Sequence, residues 1–289
     1  MTKEVKKNTP FPLRVIQWVF PKVEKIAPAL ASKWAWKLFF TPFRFPAPPR
    51  EQEAADKANK FTIEAEGYTI QGYEWGTGDK TIMLLHGWSG RATQWREFIE
   101  PLNENGYKVV AIDGPGHGNS SGKMTDIIRF SKVLKEVFNR YPEIDSMITH
   151  SFGGAATMFS IQNDLPVKRL VNIGTPTDGD YIISDFLRRI NASPQSGDLF
   201  KQNIIDNFGK PFDAFSVKET IKSASDTDLL MIHDQSDKEV PVQHSIDLHE
   251  ANPATELVIT KGLGHMRILR DPKVIARAID FINEEVEVL

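Results

Sequence analysis

The sequence predicts an α/β fold: a mostly parallel eight-stranded sheet flanked by helices, with a helical insertion in its second half. Three observations lead there. From Phe61 onward, short apolar runs of strand length alternate with stretches of helical length, the order in which parallel strands are joined by crossovers. Several of those runs end in glycine-bearing turns, among them HGWSG at 86–90, DGPGHGNSSG at 113–122 and THSFGG at 149–154. The length, 289 residues with 40% hydrophobic content, suffices for one sizeable core and a small appended subdomain.

The first fifty residues stand apart as a basic, aromatic N-terminal extension. They hold ten lysines and arginines against Glu4 and Glu24, a balance of +8 in a chain whose total is −3, so the remainder carries −11. Leu30, Trp34 and Leu38 recur at i+4 with Lys33 and Lys37 to one side, which predicts an amphipathic helix over 29–40. The first reading is a helix packed on the main domain; the second is peripheral contact with a membrane or partner. LRVIQWVF at 13–20 is short, carries Arg14 and runs into Pro21, Lys22, Glu24 and Lys25, which argues against a cleaved signal peptide. No run approaches the ~18 apolar residues of a spanning helix. TPFRFPAPPR at 41–50 reads as extended.

FTIEAEG and YTIQGYEW then suggest an opening antiparallel pair. TIMLLH (81–86), YKVVAID (107–113), SMITH (146–150), KRLVNIG (168–174), LLMIHD (229–234) and ELVITKG (256–262) are the expected parallel strands. Helices are expected near 92–105, 125–139, 153–162, 243–250 and 272–285. The gap 175–228 is too long for a simple crossover and contains YIISDFLRRI and LFKQNIIDNF, so it reads as an inserted helical cap within a domain spanning 51–289. Net charge and a pI near 6.2 give no reason to expect nucleic acid as a partner. The absence of cysteine excludes disulfides, thiolate catalysis and Cys-ligated metal, and suits a cytoplasmic location.

Two serines compete for the role of nucleophile. GNSSG at 118–122 matches the GxSxG pattern letter for letter, whereas THSFG at 149–153 has Thr149 where the first glycine belongs. Context favours the second, because Ser151 lies between a strand and a helix while Ser120 sits inside a glycine-rich loop. On these motifs and their strand-end positions, residues 61–289 resemble the α/β-hydrolase fold superfamily, in particular serine esterases and lipases with a helical cap. The resemblance implies a Ser-Asp-His order: Ser151 as nucleophile, His265 in KGLGHMRIL as base, and Asp237 in HDQSDKEVP as the orienting acid, with Asp234 the competing candidate. It also implies an oxyanion hole from the Trp88 and Phe152 amides. A β-branched residue at 149 should strain the turn.

The reading that follows is hydrolysis of a small or medium-sized, apolar carboxylic ester through an acyl-enzyme, with no cofactor and no metal. DGPGHGNSSGK fails the phosphate-loop pattern at His117 and Met124, and His233 and His249 lack metal-ligand spacing. Tyr181, Ile182, Phe186, Leu187, Phe200 and Phe208 would either line an apolar pocket or cement the cap. Within the fold, a carbon–carbon bond hydrolase, thioesterase, peptidase or haloperoxidase-like enzyme would use nearly the same residues; a ligand receptor without turnover is the alternative of a different class.

Overall fold

A computed structural model describes residues 11–284. The chain divides into two compact units. The larger comprises Thr41–Asp178 and the chain from Phe215 onward. Among the described residues it holds eight strands: β1 (Asn59–Ala65), β2 (Tyr68–Trp75), β3 (Lys80–Leu85), β4 (Tyr107–Ile112), β5 (Ser146–His150), β6 (Arg169–Ile173), β7 (Asp228–Asp234) and β8 (Glu256–Thr260). They form one sheet in the order β1-β2-β4-β3-β5-β6-β7-β8. Only β1 with β2 and β2 with β4 pair antiparallel; β3 lies between β4 and β5, and everything beyond it is parallel. The eight-stranded, mostly parallel sheet is thus the one the sequence predicts. Its central strands read as unbroken apolar runs because helices cover both faces, and Ile82, Met83, Leu84 and Leu85 are all fully buried.

The helices of this unit are α3 (Pro49–Asp56), α4 (Arg96–Glu104), α5 (Ile127–Arg140) and α6 (Phe152–Gln162), then α9 (Val217–Thr220), α10 (Gln243–Ala251), α11 (Gly264–Arg267) and α12 (Pro272–Asn283). Between α6 and α9 run α7 (Gly179–Arg189) and α8 (Pro194–Phe208), and α1 (Phe11–Ile26) and α2 (Pro28–Phe40) precede α3. Start signals are visible where helices begin. The carboxylates of Asp126 and Asp271 accept from the amides of Arg129 and Lys273 at 2.9 Å, capping α5 and α12. Because the carboxyl ends of parallel strands share one edge, the turns after β3, β5, β6, β7 and β8 open on the same side of the sheet.

The smaller unit is built from two distant stretches, the helices before Thr41 and Gly179–Ala214. Phe20, Ala31, Ala35, Ile183, Ile190, Phe200 and Ile204 are its buried centre. The helix α1 passes through Pro21. Proline removes the bond that would have run to the carbonyl of residue 17. Gln17 instead accepts from Asn191 Nδ2 at 3.3 Å, and its own amide donates to the Arg189 carbonyl at 2.9 Å. The replacement keeps the helix intact.

In α2 the buried line is Ala31 and Ala35 rather than the larger Leu30 and Trp34, and Leu30 is exposed. Small side chains allow a close approach, while the aromatics fill the flanks: Phe20 meets Trp34 at 5.5 Å, Phe39 meets Phe186 at 4.9 Å, and Trp36 stacks on Phe208 at 5.7 Å. Phe186, Leu187, Phe200 and Phe208 therefore hold this unit together; of the two roles foreseen for them, packing is the one observed. No helix among the described residues is long and apolar enough to cross a membrane.

Candidate active site

Ser151 occupies the sharp turn between β5 and α6 with φ 52° and ψ −124°, a conformation that residues with a side chain rarely adopt. Its amide is held by the Ile173 carbonyl at 2.9 Å, which pins the turn to the end of β6. Glycine is required around it by close approach. A Cβ at Gly153 would lie 2.5 Å from the His86 carbonyl oxygen, and one at Gly87 would lie 2.8 Å from the Ser151 Cβ. The loop after β3 is thereby pressed against Ser151.

The threonine at 149 is accommodated without a left-handed backbone; the positive φ belongs to Ser151. Thr149 is fully buried, and its hydroxyl reaches Asn172 Oδ1 at 2.5 Å and the Val171 carbonyl at 3.1 Å on β6. Gly154 makes the space, since a Cβ there would sit 2.7 Å from Asn172 Oδ1. The elbow thus has a polar anchor to the next strand, a pairing that sequence inspection did not foresee.

Ser120 has a structural role. It is buried, accepts from the Gln71 amide at 2.8 Å and donates to the Asp113 carbonyl at 2.5 Å, so its hydroxyl is fully engaged. Asp113 itself gathers the Ala92 and Asn119 amides at 2.8 Å each.

The structure brings Asp237, not Asp234, to the imidazole of His265: Nδ1 donates to Asp237 Oδ2 across 2.6 Å. The other oxygen of Asp237 accepts from the Glu239 and Val240 amides at 2.8 and 3.0 Å. Burial alone would raise this carboxyl, but hydrogen bonds from His233 and His265 outweigh it and hold it well below the usual carboxylate range. An ionised Asp237 fixes the tautomer in which His265 Nε2 carries the free lone pair. Asp234 is committed elsewhere. It accepts from the amides of Ser236, Leu263 and Gly264 at 2.8, 3.0 and 2.9 Å and from Thr260 Oγ1 at 2.8 Å, tying the His265 loop to the end of β7.

Among the described residues Ser151 Oγ forms no hydrogen bond, so contact with His265 is not closed here; nucleophile and base often tighten only when substrate is present. Their surroundings are nevertheless continuous. Gly174, next to the Ile173 carbonyl that holds Ser151, has its missing Cβ position 3.4 Å from His265 Nδ1. His150, next to Ser151, donates from Nε2 to the His265 carbonyl at 2.9 Å, and the two rings lie 4.6 Å apart. Burial first, and the neighbouring His265 second, push His150 down to about 3. Two histidines therefore support the candidate triad from behind. His233 is the other, with Nε2 3.5 Å from Asp237 Oδ2 and 3.0 Å from the Val240 carbonyl. Its i+4 spacing from Asp237, and the position of His150 beside Ser151, were the sequence signals available.

Neither the Trp88 nor the Phe152 amide has an acceptor among the described residues. Phe152 opens α6, where the first N–H groups have no partner inside the helix. The Gly87 carbonyl accepts from His86 Nδ1 at 2.7 Å and from the Gly90 amide at 3.0 Å, which turns the Trp88 N–H of the same peptide the opposite way. The Trp88 and Phe152 rings meet edge-on at 5.2 Å, so the two free amides belong to adjoining residues. No group of three or more metal-ligating side chains occurs among the described residues.

Comparison with known proteins agrees with this architecture. The family profile for the alpha/beta hydrolase fold matches residues 80–219. A 2-hydroxy-6-oxononadienedioate/2-hydroxy-6-oxononatrienedioate hydrolase of Escherichia coli is 29% identical over 180 residues, 57% of this chain. The match spans 60% of that relative's own length. An esterase of Pyrococcus furiosus superposes with a TM-score of 0.65 at 23% identity, covering 84% of this chain and 98% of the other. A bromoperoxidase of Bacillus anthracis gives 0.61 at 20% identity, covering 78% and 100%.

Proposed function

We propose that this chain, which has the α/β-hydrolase fold, is a serine hydrolase cleaving a carboxylic ester or related acyl bond. The observation that carries the reading is Ser151, held at φ 52° on the β5–α6 turn beside the buried His265–Asp237 pair. A strained nucleophile turn presents the hydroxyl above the strand end and leaves the next amide facing the same space.

In the proposed reaction, Ser151 Oγ attacks the substrate carbonyl while His265 Nε2 takes its proton. The charge that develops on the carbonyl oxygen is received by the Trp88 and Phe152 amides, which need no reorientation to meet it. Asp237 stabilises the imidazolium. Collapse of the tetrahedral species breaks the bond to the alcohol, which leaves with the proton held on His265. Water then enters by the same route in reverse, and the acid is released with Ser151 regenerated.

The likeness to the Escherichia coli hydrolase supports a second reading, in which the bond broken joins two carbons of a keto diacid. Both readings use the same nucleophile and differ in leaving group. Measuring turnover of p-nitrophenyl esters of increasing acyl length beside 2-hydroxy-6-oxononadienedioate separates them. A fluorophosphonate probe should label the protein once, on Ser151, and fail on Ser151→Ala and His265→Ala while still labelling Ser120→Ala. Modification of Ser120, or unchanged labelling of Ser151→Ala, refutes the assignment.

A further inference from the structure

We propose that the outward face of α1 is a docking surface for an anionic lipid bilayer. At 100° per residue, Phe11, Arg14, Val15, Trp18, Lys22, Lys25 and Ile26 fall within one third of the helix circumference. All seven side chains are exposed. Phe11, Trp18 and Ile26 are 75%, 68% and 85% exposed, an unusual display for large apolar residues on one helix. The opposite side of α1, with Phe20 at its centre, is already used within the smaller unit.

The chemistry of the face selects its occupant. Its charged members are all basic, and no acidic residue lies on the arc. Glu24, the one acid of α1, projects from the other side and accepts from the Ser193 amide and hydroxyl at 3.0 Å. Lys22 Nζ lies 2.9 Å from the Trp18 ring centroid, so the ammonium rides on the aromatic rather than opposing it. Apolar rings interleaved with lysine and arginine suit the boundary between acyl chains and anionic headgroups, where the stems bury and the charged ends remain in the polar layer. On α2, Leu30, Lys33 and Lys37 are exposed as well, one further apolar residue with two further cations. Charge distribution along the chain points the same way. Residues 1–50 carry +8 and the remainder −11, so attraction to an anionic surface is confined to this segment. A protein partner of acidic character would meet the cations but has no requirement for the exposed Phe11, Trp18 and Ile26 in a row with them.

The test is flotation of the full-length protein with phosphatidylcholine vesicles prepared with and without phosphatidylglycerol. Binding is expected only to the phosphatidylglycerol vesicles and should decline with added salt. At roughly fivefold per basic residue, Arg14→Gln, Lys22→Gln and Lys25→Gln together should weaken partitioning on the order of a hundredfold. The Phe11→Ser, Trp18→Ser, Ile26→Ser protein should also fail to float, with ester turnover in solution unchanged in both variants. A blue shift of tryptophan emission on adding these vesicles, absent from Trp18→Phe, should report burial of that ring without perturbing the fold. No binding to either vesicle overturns the proposal, as does equal binding of the triple glutamine protein. Self-association abolished by the serine substitutions would assign the face to a second copy of the chain and overturn it as well.

Discussion

Acidification should destabilise this protein through His150 in a way that one substitution can isolate. An unfolded histidine titrates near ~6.5, whereas burial and the adjacent His265 push His150 down to about 3 in the native state. Between those values the unfolded chain binds a proton that the native chain excludes. Stability therefore falls as pH drops below the unfolded value, and keeps falling until the native group titrates. From pH 7 to pH 5 the interval below the unfolded pKa is roughly 1.5 units, which at ~1.36 kcal/mol per unit is about 2 kcal/mol. The assay is urea unfolding at both pH values for wild type and His150→Gln. His86, His117 and His244 are also lowered by burial, but they act in both proteins and cancel in the comparison. The wild type should lose about 2 kcal/mol more than the variant over this range. Equal losses would show that His150 is not held neutral and would refute the argument.

Further outcomes are expected at the neighbouring positions. Asp237→Asn should lower kcat on the order of 10^4-fold through loss of the correct imidazole tautomer, whereas Asp234→Asn should mainly lower stability, by about 1–3 kcal/mol; steady-state kinetics and melting curves distinguish them, and equal loss of turnover in both would defeat the division of roles. Ser151→Gly and Ser151→Ala should both be inactive, but the glycine protein should be the more stable by about 1 kcal/mol because it relieves the positive φ, which differential scanning calorimetry can read. Thr149→Val should cost about 1–3 kcal/mol by leaving the Asn172 amide oxygen buried without its donor; a variant as stable as wild type in urea would contradict that role.

The sheet was legible because its determinants are local. Runs such as TIMLLH and LLMIHD carry strand length and burial in their composition, and the glycine turns after them mark where strands end. Ser151 was distinguishable from Ser120 on the same basis, since a strand leads into one and not the other. Asp237 emerged from family spacing, and the structure adds the physical reason: Asp234 is saturated by the His265 loop and has no capacity left for the imidazole. What the sequence hid were pairings across long separations. Thr149 with Asn172, His150 with the His265 carbonyl, and Gln17 with Asn191 each join residues whose proximity depends on the completed fold. The path of α1 through Pro21 belongs to the same class, because the partner that compensates the lost bond is 174 residues away. The orientation of α2 was hidden for another reason: hydrophobicity ranks leucine and tryptophan above alanine, while close helix packing rewards the smaller side chain.

The smaller unit, assembled from helices near the beginning of the sequence and a stretch that starts at Gly179, sets an order of events during synthesis. On a ribosome α1 and α2 emerge early, but Ile183, Phe200 and Ile204, against which Phe20, Ala31 and Ala35 pack, are translated some 140 or more residues later. At ~5–20 residues per second that interval is on the order of ten to thirty seconds. Throughout it the inner faces of both helices are without their final covering, even as the first strands of the sheet become available to pair. A nascent chain in this state exposes the face of Phe20, Ala31 and Ala35, which is covered only once α8 has left the exit tunnel, whereas Arg14, Lys22 and Lys25 remain outside throughout.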